Sequence, residues 1–115
     1  PVKIEYAIDR YTMEVKRQLD VLDRNLSERR YLCGDDYNIA DIATYAWYGN
    51  QVLNDSYKAG EFLDAASYKH VVRWASEIEE RPAVQRGRRV NKTWGPEEQR
   101  VPERHAASDL DVGAT

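Results

Sequence analysis

The sequence predicts an all-α protein, a helical bundle followed by an extended C-terminal tail. Apolar residues recur at helical spacing over residues 3–27, and a second run over 39–53 is apolar on nearly every side. Nowhere does β-alternation reach a useful length. The 115 residues, 42% of them hydrophobic, suffice for one modest core. With 32% charged residues and a mean hydropathy of -0.78, the outside is heavily solvated.

The first helix rests on Ile4, Ile8, Tyr11, Val15, Leu19, Leu22 and Leu26, at steps of 4, 3, 4, 4, 3 and 4. They form one stripe of about seven turns. Glu14, Lys16, Arg17, Asp20, Asp23 and Arg24 fill the other faces, and no Gly or Pro interrupts. A polar "SERR" leads into "YLCGDD", where Gly34 and Asp35-Asp36 are turn formers. The second helix carries Ile39, Ala40, Ile42, Ala43, Tyr45, Ala46, Trp47 and Tyr48, a pattern expected to be buried all round. Gly49 inside it costs about 1 kcal/mol of propensity, so close packing is its expected reason. Residues 54–66 read as a connector with room for one short helical turn. The third helix, 67–80, has Ser67 as candidate cap, with Tyr68, Val71, Val72, Ala75 and Ile78 facing inward and Trp74 near that face's edge. Pro82 suits the first position of a fourth, shorter helix over 82–91. Beyond Asn91 the periodicity stops.

Composition excludes several functions. A net charge of -3 gives no global field toward nucleic acid or an anionic membrane. No apolar run approaches the ~20 residues of a membrane span. A single cysteine, Cys33, allows no internal disulfide and suits a reducing, cytoplasmic setting. The opening "PVKIEYAIDR" lacks Met, has no signal-peptide character and is expected to continue a longer protein.

Asn38 and Asp41 open the second helix. A carboxylate beside Tyr45, Trp47 and Tyr48 invites a catalytic reading. The structural reading is more complete. Asn38 is a good N-cap, and Asp41, at the third helical position, can reach back to the Asn38 amide and favours the positive helix end. Tyr37 and Ile42 then occupy the two places of a hydrophobic staple. One mechanism covers all four residues, so Asn38 and Asp41 are expected to form a capping box and no catalytic residue is assigned.

Gly34-Asp35 followed by "YNIADIATY" resembles the G-D-x-[ST]-[IL]-A-D signature of the glutathione transferase C-terminal domain, with Asn38 in place of Ser or Thr and one extra Asp. "YKHVVRWASEIEERPAVQRG" is similar to that family's later helices, and "KIEYAIDRYTMEVKRQLDVLDRNLSERRYLCGD" to its long helix. "IEYAIDRYTMEVKRQLDVLD" with "VNKTWGP" is similar to the nu-class subgroup of bacterial and fungal transferases resembling disulfide-bond oxidoreductases. The resemblance implies an all-α domain over residues 1–92 that lacks the family's first helix, and a tail over 93–115. It implies an upstream thioredoxin-like domain holding most of the glutathione site, glutathione as co-substrate without a metal, and a homodimer. The implied chemistry is attack of a glutathione thiolate on a disulfide, a peroxide or a small electrophile, with these 115 residues inactive alone. The alternative is a non-catalytic binding or assembly module of the same fold. A free-standing bundle of unrelated role is a third.

By the resemblance, Arg10 in "IDRYT" contacts glutathione, and a guanidinium suits a carboxylate by bidentate hydrogen bonding. Arg10 also lies one step off the apolar stripe, where it can line a cleft edge; without the resemblance it reads as a solvated helix arginine. Tyr6 and Tyr11 can wall an acceptor pocket, with core packing expected for Tyr11. Cys33 lies before a turn, with no helix N-terminus or His beside it in sequence, and reads as a structural small apolar residue. His70 and His105 lack partners at ligand spacing. Arg86, Arg88, Arg89 and Lys92 read as a solvated face or as partners for acids of another domain. Trp94 is expected to anchor the tail.

Overall fold

The computed structural model describes residues 2–54, 58–90, 92, 95–101 and 106–110. Its helices are α1 (Glu5–Ser27), α2 (Ile39–Leu53), the single turn α3 (Gly60–Leu63), α4 (Lys69–Glu79) and α5 (Pro82–Arg89). Among the described residues there is no strand, only an isolated bridge between Tyr31 and Gly34. The chain divides into two compact units, Pro1–Ser76 and Glu77–Thr115, and α4 crosses the division.

In the first unit the apolar stripe of α1 divides at mid-helix. Leu19, Leu22 and Leu26 are buried, whereas Ile4, Ile8 and Tyr11 are exposed. Burying each leucine stabilises by roughly 1.5–3 kcal/mol. The N-terminal half of α1 has no comparable apolar cover. Tyr11, expected in the core, is 71% exposed.

The turn after α1 is tight. Tyr31 N donates to Gly34 O at 2.8 Å and Gly34 N to Tyr31 O at 3.2 Å, with Leu32 and Cys33 at the tip. Gly34 sits at φ 134°, a conformation that L side chains rarely adopt. Cys33 is exposed there, not buried as a small apolar residue.

α2 departs from the expectation of burial all round. Asp41, Tyr45 and Gly49, at steps of four, form its buried line, while Ile39, Ile42 and Trp47 are exposed, Trp47 at 79%. The buried line explains Gly49. A β-carbon there would overlap the ring of Tyr45, which lies back across the helix and meets Trp74 edge-on at 6.1 Å.

The connector holds α3 and a 3-10 turn, Ala65–Ser67. α4 then starts at Lys69, and Ser67 does not cap it. The Ser67 hydroxyl donates to Asp64 O at 2.7 Å. The first turn of α4 is capped from α1 instead, where Asp23 Oδ1 accepts from His70 N at 2.8 Å and Val71 N at 3.1 Å. In return Arg73 of α4 reaches the end of α1, donating to the carbonyls of Leu26, Arg29 and Arg30 at 3.0–3.2 Å. The two ends carry opposite partial charges, so each attracts the side chain it receives. Trp74, expected at the edge of the inner face of α4, is fully buried.

In the second unit Pro82 holds the N1 position of α5, and the helix ends at Arg89. Arg88 pairs with Glu79, and Gln85 Nε2 donates to Glu79 O at 2.7 Å. The tail is not wholly extended, since it contains 3-10 turns at Glu97–Gln99 and Ala107–Leu110. Val101 N returns to Lys92 O at 2.8 Å. Trp94 and His105 lie outside the described residues.

Candidate functional site

Asp41 is a fully buried, well-connected side chain of the first unit. Its oxygens are fully buried and accept three hydrogen bonds. Oδ2 accepts from Asn38 N at 3.0 Å, and Asn38 Oδ1 accepts from Ala40 N at 2.9 Å, which makes a reciprocal cap. Oδ1 accepts from Leu32 N at 3.0 Å and from Trp74 Nε1 at 2.8 Å. The carboxylate thus joins the turn after α1, the start of α2 and the middle of α4. It is sealed from solvent with both oxygens engaged by the fold, which suits a structural role and not a substrate contact. Tyr37 meets the Tyr31 ring edge-on at 5.7 Å, while Ile42, its expected staple partner, is exposed.

A different set of polar groups faces the surface. Arg10 stands in the second turn of α1 with its side chain 58% exposed, 3.9 Å from Glu14 Oε2. Glu14 is held from the other side. Arg17 Nε donates to Oε2 at 3.0 Å and Arg17 Nη2 to Oε1 at 2.6 Å, and Gln18 Nε2 adds a bond to Oε1 at 2.7 Å. These hydrogen bonds, from Arg17 first and then Gln18, lower the Glu14 pKa to about 2. Gln18 is oriented from α2, because Tyr48 Oη donates to its Oε1 at 2.5 Å. Two clefts between α1 and α2 flank that Tyr48–Gln18 bond. The larger, about 570 Å³, includes Val15, Ala46 and Trp47 in its walls, and the smaller, about 310 Å³, includes Val21, Leu32 and Asn25. Asn25 Oδ1 is buried without a hydrogen-bond partner.

The structure does not bring the other sequence candidates together. Tyr6 and Tyr11 are both exposed on α1, and neither walls a cleft of the first unit described above. His70 enters the hydrogen-bond pattern through its backbone amide. Among the described residues no cluster of His, Cys, Asp or Glu could hold a metal ion, and no helix is long and apolar enough to cross a membrane. Sequence reading did not find Glu14, Arg17, Gln18 and Tyr48 as a group. The 14, 17, 18 spacing was its one local signal, since Tyr48 lies 30 residues away from Gln18.

Comparison with known proteins agrees with this architecture. Residues 5–82 match the family model of the glutathione S-transferase C-terminal domain. The chain is 60% identical over 112 residues to the disulfide-bond oxidoreductase YghU of Escherichia coli, a match covering 97% of this chain and 39% of that protein. It is 36% identical to the disulfide-bond oxidoreductase YfcG of the same organism, over 73% of this chain and 36% of the relative. Among solved structures it is similar to glutathione transferase YghU from Streptococcus pneumoniae, complexed with glutathione, with 50% identity, a TM-score of 0.68, and coverage of 76% of this chain and 34% of that one. The chain therefore spans well under half the length of these relatives. From residues 5–82, it belongs to the glutathione S-transferase C-terminal domain family.

Proposed function

We propose that this chain is the helical domain of a glutathione-dependent transferase or disulfide-bond reductase of the nu class, acting in the cytoplasm as a homodimer. A thioredoxin-like domain preceding it supplies most of the glutathione site and the group that activates the thiol. The helical domain supplies the wall of the acceptor site and one glutathione contact, Arg10. The substrates are glutathione and a disulfide, a peroxide or a small electrophile. One observation carries this reading: the 50% identical structure that holds glutathione. The exposed guanidinium of Arg10 gives the contact its chemistry, since its fork can receive a carboxylate in two parallel hydrogen bonds.

The exposed apolar residues fit the same reading. Trp47 on α2 and Val21 on α1 are large side chains open to solvent in the walls of the two clefts, and Ile39 and Ile42 are further exposed apolar residues of α2.

The experiment is calorimetric titration of the full-length protein with glutathione. Arg10→Ala is expected to weaken binding by roughly 1.5–3 kcal/mol, the range of a hydrogen bond to a charged group. Unchanged affinity would remove Arg10 from the site.

A further inference from the structure

Arg10 and Arg17 compete for one carboxylate. They stand four residues before and three residues after Glu14 on the same helix. The competition is unequal for a geometric reason. Side chains on a helix lean toward its N-terminus, so Arg17 reaches back onto Glu14 while Arg10 leans away from it. An acid placed N-terminal to its cation is the better arrangement for the same reason. The structure shows the outcome. Arg17 binds both Glu14 oxygens, and Arg10 stays at 3.9 Å, beyond hydrogen-bond reach.

Gln18 closes the remaining side of Glu14. Its amide has a fixed orientation because Tyr48 donates to its oxygen, which turns its NH₂ toward Glu14 Oε1. A residue of α2 therefore takes part in arranging a carboxylate on α1. Arg10 itself makes no hydrogen bond among the described residues, so its five donors are available.

We propose that Glu14 and Arg17 are a positioning pair for Arg10. Arg17 and Gln18 occupy Glu14, so Glu14 steers the Arg10 guanidinium by charge without taking up its donors. The fork stays open for the carboxylate of the ligand. Without Arg17, Glu14 closes on Arg10 and competes with the ligand. This inference rests on the reading that Arg10 contacts glutathione.

The test is titration of the full-length protein with glutathione for Arg10→Ala, Arg17→Met, Arg17→Lys and the double variant Arg17→Met/Glu14→Gln, with thermal midpoints as a check on folding. Arg17→Met is expected to weaken binding roughly three- to tenfold, up to the scale of a single charge-assisted hydrogen bond. Arg17→Lys keeps one charge but no fork and is expected to fall between wild type and Arg17→Met. Adding Glu14→Gln to Arg17→Met is expected to recover part of the affinity, because the competing carboxylate is gone together with the charge that steers Arg10, and loss of a merely structural contact would recover none. Weakening by Arg10→Ala with no effect of Arg17→Met overturns the positioning role and leaves the Arg10 reading intact. A double variant no better than Arg17→Met overturns it equally. No effect of Arg10→Ala overturns both.

Discussion

Along one helix, α1, the C-terminal half buries Leu19, Leu22 and Leu26 and sends Asp23 to cap α4, while the N-terminal half leaves Ile8, Tyr11 and Arg10 in solvent. The contrast extends to the two carboxylates that organise these regions. Asp41 accepts bonds from three different segments and is sealed from water. Among the described residues Glu14 accepts bonds only from neighbours within four positions, at the surface. A carboxylate that joins distant segments serves the fold. One that arranges its neighbours leaves a cation beside it open for other work.

The comparison breaks most sharply at Asp41. Asp41→Ala would leave the Leu32 amide, the Asn38 amide and the Trp74 indole N–H without their acceptor, at about 3–5 kcal/mol. That is a large part of the roughly 5–15 kcal/mol that holds a domain folded. Urea unfolding of the full-length protein measures it. A loss under about 1 kcal/mol would mean that these donors find other acceptors. Gly49→Ala comes next. The added methyl must displace the Tyr45 ring from Trp74, which costs roughly 1–3 kcal/mol of overpacking and is offset by about 1 kcal/mol of helix propensity. A net loss is expected, accompanied by a change in the near-ultraviolet signal of Trp74. A stabilised variant would show that the ring moves freely.

The smallest effect lies at the surface. The hydrogen bonds from Arg17 and Gln18 favour the charged form of Glu14, whose pKa falls from 4.5 to about 2. Its pairing therefore contributes fully above pH 4.5 and is lost as the pH falls toward 2. A carboxyl carbon titration by NMR reads this directly, and a midpoint near 4.5 would show that Arg17 does not hold Glu14 in solution.

Local features of this fold were readable from the residues. The stripe of α1 and the three-residue step from Asn38 to Asp41 are local patterns, and local patterns are visible in a sequence. What escaped reading joins residues far apart. Asp41 lies 33 positions from Trp74, and Asp23 lies 47 from His70. Nothing near Ser67 shows that its capping role has passed to another helix. The misjudged burial of α2 has a second reason. Periodicity reports that a face is built to be covered, and it is silent on which part of the protein covers it. The same holds for Arg10, whose position follows from the helix while its role depends on what stands opposite.

The exchange of Asp23 and Arg73 between α1 and α4 also bears on how the domain opens. Amides in the first turn of a helix normally lose their protons to solvent early, because no carbonyl of their own helix shields them. Those of His70 and Val71 are instead held by Asp23 Oδ1, and α1 must separate from α4 before they are released. In deuterated water they are expected to exchange as interior amides, reporting the cooperative opening of the α1–α4 pair rather than the fraying of one helix end.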